Sequence, residues 1–153
     1  LGLPDYRLEP DPTNFVGATE GSAINTTVTV KTGDVLSFNW NFLTNDSSFN
    51  PEGVGDYAFL QVNDTLVTLG DTNSSLGLSS TNFNQETGSQ NFSYTFSADG
   101  AYSLGLGIVD VIDMSNSSAL VVDNIQVKTV PEPSTIFGLI ISIGSFGLLK
   151  RRK

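Results

Sequence analysis

Between residues 36 and 42 every second side chain is large and apolar and every intervening one is polar: Leu36-Ser37-Phe38-Asn39-Trp40-Asn41-Phe42. A helix would scatter those four apolar groups around its circumference, whereas a strand puts all four on one face. Similar strand-like runs recur at 26–31, 57–62, 65–69, 92–96, 102–109 and 120–127, and within them Phe92, Tyr94 and Phe96 alternate, as do Tyr102, Leu104, Leu106 and Ile108. Thr32-Gly33-Asp34, Asn63-Asp64 and Ala98-Asp99-Gly100 have the length and chemistry of hairpin turns. The gaps at 43–55, 70–90 and 110–118 are rich in Asn, Ser, Asp and Gly and read as surface loops. Seven or eight short strands with no helical period before residue 130 predict an all-β, antiparallel, jelly-roll-like β-sandwich over residues 20–129. Residues 1–19 read as an irregular leader or one edge strand, and residues 130–153 as a separate segment.

Length and composition suit one such domain with a short appendage. The 153 residues are 39% hydrophobic with a mean hydropathy of +0.01, as expected of a globular core rather than a disordered polymer. There is no cysteine and no histidine. Disulfide staples, cysteine-based zinc sites and thiol nucleophiles are thereby excluded, and the commonest proton shuttle is missing. Ser-His-Asp and Cys-His machinery has no members here. An enzyme would have to run on two carboxylates, as glycosidases do, and Asp46 with Asp56 is one of many pairings that sixteen acidic residues allow. Spacing singles out no pair, so the expectation is a non-catalytic domain, with a carboxylate-pair glycosidase as the remotest reading.

The charge is lopsided. The formal net of −9 includes a basic run at the C-terminus, Lys150, Arg151, Arg152 and Lys153. Residues 1–149 keep only Arg7, Lys31 and Lys128 against all 16 acidic residues, a net of −13. Such a domain repels nucleic acid and attracts divalent cations, so no nucleic-acid partner is expected.

Ahead of the basic run, residues 134–149 carry no charge, and their apolar side chains are Ile136, Phe137, Leu139, Ile140, Ile141, Ile143, Phe146, Leu148 and Leu149. A bilayer crossing takes roughly 17–25 apolar residues, so this stretch is a short membrane helix with a cytoplasmic anchor under the positive-inside rule. The order Pro131-Glu132-Pro133, hydrophobic run, terminal basic cluster resembles a PEP-CTERM sorting signal. That resemblance implies export by a Gram-negative bacterium, transient membrane anchoring, and recognition by an exosortase, a membrane-embedded cysteine protease thought to process the tail near Pro-Glu-Pro. A GPI signal normally lacks the basic end, and the Leu-Pro-x-Thr-Gly motif of sortase substrates is absent. Two prolines suit the junction because they fix φ, remove backbone donors and keep the segment extended. The chain starts at Leu1, as expected if an export signal has been removed or if the sequence is a fragment.

Residues 19–23, 38–45, 56–59 and 118–125 also resemble the ectodomains of cyanobacterial PEP-CTERM proteins, which implies location and fold but no activity. Glu20 near the first strand and Asp123 near the last match the positions of acidic residues that hold a structural calcium ion (Ca2+) in jelly-roll carbohydrate-binding modules. Two carboxylates with backbone oxygens would serve calcium; solvation at the sheet edge is the alternative for both, and for Asp110 and Asp113. Trp40, Tyr57 and Tyr102 sit in strand patterns and are expected to pack, leaving no array of exposed aromatics for sugar. Six Asn-x-Ser/Thr sequons, at Asn25, Asn45, Asn63, Asn73, Asn91 and Asn116, reflect composition. The sequence thus predicts an exported, exosortase-sorted cell-surface or extracellular-matrix protein with a non-catalytic sandwich. The alternative is a calcium-assisted carbohydrate-binding module retained on extracellular polysaccharide.

Overall fold

A computed structural model describes residues 5–10, 17–46, 55–112 and 116–130. Pro131-Glu132-Pro133, the hydrophobic segment expected to be helical, the basic cluster and Asp113 all lie outside the described residues. Among the described residues no helix is long and apolar enough to cross a membrane.

Among the described residues, a 3-10 turn at Asp5–Leu8 is followed by nine strands: β1 (Ala18–Val30), β2 (Val35–Thr44), β3 (Tyr57–Val62), β4 (Thr65–Asp71), β5 (Gly77–Leu78), β6 (Gln85–Glu86), β7 (Gln90–Thr95), β8 (Gly100–Val111) and β9 (Ser118–Lys128). All pairings are antiparallel. One sheet has the order β1-β8-β3-β4; in the other, β2 is flanked by β9 on one side and by β7 and β6, then β5, on the other. The chain changes sheet between β1 and β2, β2 and β3, β4 and β5, β7 and β8, and β8 and β9. The sequence-predicted strands are all present. β1 starts earlier than expected, at Ala18, and the gap at 70–90 contains β5 and β6, too short and too polar to show a period.

The core lies between the sheets. Leu36 and Phe38 of β2 and Phe96 after β7 meet Leu60 and Val62 of β3 and Leu104 of β8, with Trp40 half-buried against them. Phe38 stacks on Phe92 with ring centroids 5.0 Å apart. Further along β2, Phe42 packs with Ala58 and Ile108 of the opposite sheet. A second cluster sits on the other face of the first sheet, where Phe59, Val109 and Val111 are buried under Leu8, Tyr57 and Leu66. Phe59 and Gly107 are cross-strand partners, and a Cβ built at Gly107 would lie 2.6 Å from the Phe59 ring. The missing side chain is the space the ring occupies.

Two irregularities keep the apolar faces in register. In β9 the inward residues are Leu120 and Val122, then Ile125 and Val127, so the period slips by one. A bulge absorbs the slip: Ser37 pairs Gln126 while Asn39 pairs Asp123, and Asn124 adopts a φ of 56°, which Asn tolerates better than most residues. Between β6 and β7, the Phe42 N–H donates to the Thr87 hydroxyl at 3.0 Å and the Thr87 N–H donates to the Phe42 carbonyl at 2.9 Å, closing the gap beside Gly88.

Candidate functional site

Glu20 and Asp123, the expected calcium pair, stand on different sheets: Glu20 of β1 opposite Asp110 of β8, and Asp123 of β9 opposite Asn39 of β2. Asp123 Oδ1 accepts the Asn124 N–H at 2.7 Å, which holds the β9 bulge. Among the described residues no group of three or more Asp, Glu, His or Cys side chains is arranged to hold a metal ion.

Of the acids considered as a catalytic pair, Asp56 is the singular one. It precedes β3 and is only 2% exposed. The Val111 N–H donates to Oδ1 at 2.9 Å and the Ser118 hydroxyl donates to Oδ2 at 2.5 Å. Ser118 Oγ also lies 2.8 Å from Thr44 Oγ1, which accepts the Asp46 N–H at 2.9 Å. The Ser118 hydroxyl is the donor on both sides, its one proton shared between the Asp56 carboxylate and Thr44 Oγ1. This chain ties the end of β2, the entry to β3, the end of β8 and the start of β9, and therefore both sheets. Burial pushes the Asp56 carboxyl up to about 6, against the opposing pull of the Ser118 and Val111 bonds; the charges of Asp110 and Asp46 raise it further. A raised carboxyl beside other acids is also how a general acid is made. Here both oxygens are occupied by structural donors and the group is buried, so it acts as a clasp between strands.

A more accessible feature is a hollow of about 340 Å³ on the outer face of the first sheet, lined by Arg7, Glu9, Tyr57, Thr68, Asp71 and Asn73 among others. Its wall is the leader, stitched to the sheet at three points. The Tyr57 hydroxyl donates to the Leu8 carbonyl at 2.7 Å, Arg7 Nη2 donates to the Asp64 carbonyl at 2.5 Å, and the Ala18 N–H donates to Glu9 Oε2 at 2.9 Å. Burial, and then the Glu9 charge, push the Tyr57 phenol up to about 12, which keeps it a donor at any ordinary pH. Asp71 Oδ1 accepts from the Asn73 N–H at 2.9 Å and from the Ser74 hydroxyl at 3.1 Å, fixing the far rim. The hollow sets the half-buried Tyr57 ring, with Phe59 and Leu66 beside it, amid charged, amide and hydroxyl groups.

The sequence marked Asp56 only as one of many acids and gave no sign of Arg7, Glu9 or Asp71 as neighbours. Arg7 and Asp64 are 57 positions apart, and no local pattern encodes that contact.

The third structural anchor is Asp34, in the turn between β1 and β2. It is 3% exposed; its Oδ2 accepts the Lys31 N–H at 2.9 Å, its Oδ1 accepts the Val130 N–H at 3.2 Å, and its carbonyl accepts the Phe96 N–H at 2.9 Å. Asp34 thus holds the chain where it leaves β9. Searches against protein-family models, curated proteins and solved structures find no match to this chain.

Proposed function

We propose that the chain is an exported, exosortase-sorted protein whose two sheets form a non-catalytic, jelly-roll-type sandwich displayed at the cell surface or in the extracellular matrix. The observation that carries this reading is the order of the last 23 residues, Pro131-Glu132-Pro133, uncharged hydrophobic run and Lys150-Arg151-Arg152-Lys153. The repeated crossing of the chain between sheets supports the jelly-roll assignment. The exit supports a processing role for the junction: Val130 is exposed yet tied to Asp34, so the sorting motif follows directly on a fixed domain rim. A protease at the membrane would then meet a proline-rich link rather than a strand end. Replacing Pro131, Glu132 and Pro133 by alanine in the exporting cell is expected to leave the protein in the membrane fraction, while the unaltered chain appears outside it. Equal release of both proteins would sink the reading.

A second reading, binding of extracellular polysaccharide, is favoured by the outer hollow around Tyr57. Titration of the full chain with neutral oligosaccharides should show saturable binding. Thr68→Val, a change on the exposed outer face of β4 that keeps the side chain's shape, should weaken it by roughly three- to tenfold, the loss of one hydrogen bond, without changing the unfolding temperature. No saturable binding by the unaltered chain would dismiss this reading.

A further inference from the structure

The strand ends collect at two poles of the sandwich, and the poles differ in charge. At one, the turns at 31–34 and 96–99 meet the end of β9: Val30 pairs Gly100, and Val35 pairs both Thr95 and Lys128. This pole holds Lys31 and Lys128, both exposed and the only lysines before residue 150. Its acids are Asp34, buried with its carboxylate on the Lys31 and Val130 N–H groups, and Asp99, whose Oδ1 accepts the Thr32 N–H at 2.7 Å. At the other pole Glu20 is opposite Asp110, Asp71 pairs Tyr57, Asp56 precedes β3 and Asp46 follows β2, with no Lys or Arg among the described residues there. Arg7 lies between, bonded to the Asp64 carbonyl, and offsets the Asp64 charge.

The chain leaves from the lysine pole on a short lead. The Val130 N–H is held by Asp34 at 3.2 Å, and the uncharged run begins at Ser134. Four Cα steps reach at most about 14 Å however they are arranged. The headgroup layer on one side of a bilayer takes up about 6 Å of that reach. The pole is therefore kept within about 8 Å of the lipid surface, one Debye length at physiological salt. A helix as long as the run from Ser134 to Leu149 measures about 24 Å against a hydrocarbon core of roughly 30 Å, so the run has no residue to spare for lengthening the lead.

We infer that the sandwich stands on the membrane on this pole, with Lys31 and Lys128 facing anionic phospholipid headgroups and the acidic pole turned away. The inference rests on the reading of residues 134–149 as a membrane segment and goes beyond it, because a tether alone does not choose which side chains meet the lipid. Each exposed lysine within a Debye length of an anionic surface favours contact by about fivefold. The same surface repels the five acids of the far pole, and Glu132 of the lead and Asp99 only balance the two lysines. Attraction and repulsion turn the molecule the same way.

The chain has no cysteine, so single labels can be placed by substitution. Ser97→Cys puts a fluorophore on the exposed lysine pole, and Ser75→Cys puts one on the acidic pole beyond β4. Full-length chains are reconstituted in phosphatidylcholine vesicles, with and without phosphatidylglycerol, that carry a quencher on their headgroups. On the anionic vesicles the label at 97 is expected to be quenched at least about threefold more than the label at 75. Lys31→Gln combined with Lys128→Gln, both at exposed positions, should lower quenching at 97 to its level on neutral vesicles while the tail keeps the protein bound. Equal quenching of the two labels would overturn the inference, as would quenching at 97 that ignores both lipid charge and the lysines. Failure of the full chain to bind either vesicle would defeat the membrane reading itself, and the inference with it.

Discussion

Replacing Phe42 by alanine is expected to cost roughly 3–5 kcal/mol of folding stability, a large share of the 5–15 kcal/mol typical of a domain this size. The ring is 0% exposed. It fills the space between the sheets against Ala58 and Ile108 of one and Leu120 of the other, with Leu69 and Leu76 closing the sides. Small and fixed neighbours make the cost large. Ala58 has no side chain with which to fill a hole, and the backbone at residue 42 is held by Thr87 through both its N–H and its carbonyl. The site therefore cannot collapse around the cavity. Denaturant titration followed by Trp40, the only tryptophan and a neighbour of this cluster, reads the change directly. The midpoint should fall with the slope unchanged, because the surface exposed on unfolding is nearly the same. A loss below about 1.5 kcal/mol, the cost of a conservative core swap, would mean that Phe42 does not span the two sheets.

Asp56 supplies the second large effect, and its sign depends on pH. The folded carboxyl titrates near 6, above its ordinary 3.8. The folded state thus holds this proton more tightly than the unfolded chain does. Through this group, stability rises as pH falls from about 6 toward 3.8, and the gain is complete below that; above pH 6 the full cost of a buried charge remains. Relief of repulsion among the other acids acts in the same direction, so the group must be isolated by substitution. Asp56→Asn keeps an oxygen for the Val111 N–H, and the Ser118 hydroxyl can turn toward Thr44. Its stability relative to the unaltered protein should be highest near pH 7.5 and fall steadily toward pH 4.5 as Asp56 gains its proton. A difference flat across that range would contradict the raised carboxyl. Asp56→Ala leaves the Val111 N–H buried with no acceptor and should be roughly 1–3 kcal/mol less stable than Asp56→Asn at pH 7.

These two residues show how much of the molecule is legible in the sequence. Phe42 closes an alternating run, so its face and burial follow from the period of two. The same holds for Phe92, Tyr94 and Phe96. The bulge in β9 is less legible: the sequence is read as one run over 120–127, and the slip between Val122 and Ile125 shows only against the paired strand. The outer cluster is half legible: Tyr57, Ala58, Phe59 and Leu60 leave no polar face, which says that both sides of β3 are covered but not by what. The cover on the outer side is the leader, brought in by the Tyr57 hydroxyl across 49 positions and tied to the start of β1 by Glu9. The Asp56 clasp is not legible at all. Its members come from positions 44, 46, 56, 111 and 118: four look like ordinary loop polar residues until the strands meet, and Val111 contributes only its backbone N–H. The outer hollow is hidden for the same reason. The proposed sorting signal in the tail is the reverse case, read entirely from residue order.

The most direct measurement of the central claim, that the tail is a sorting signal processed at the membrane, is the intact mass of the protein recovered from cells with and without a functional exosortase. With the enzyme, the protein should lose the residues that follow the Pro131-Glu132-Pro133 junction and leave the membrane. Without it, the full tail through Lys153 should remain and the protein should stay membrane-bound. An uncleaved, membrane-bound protein in both strains would contradict the account and make residues 136–153 a permanent anchor.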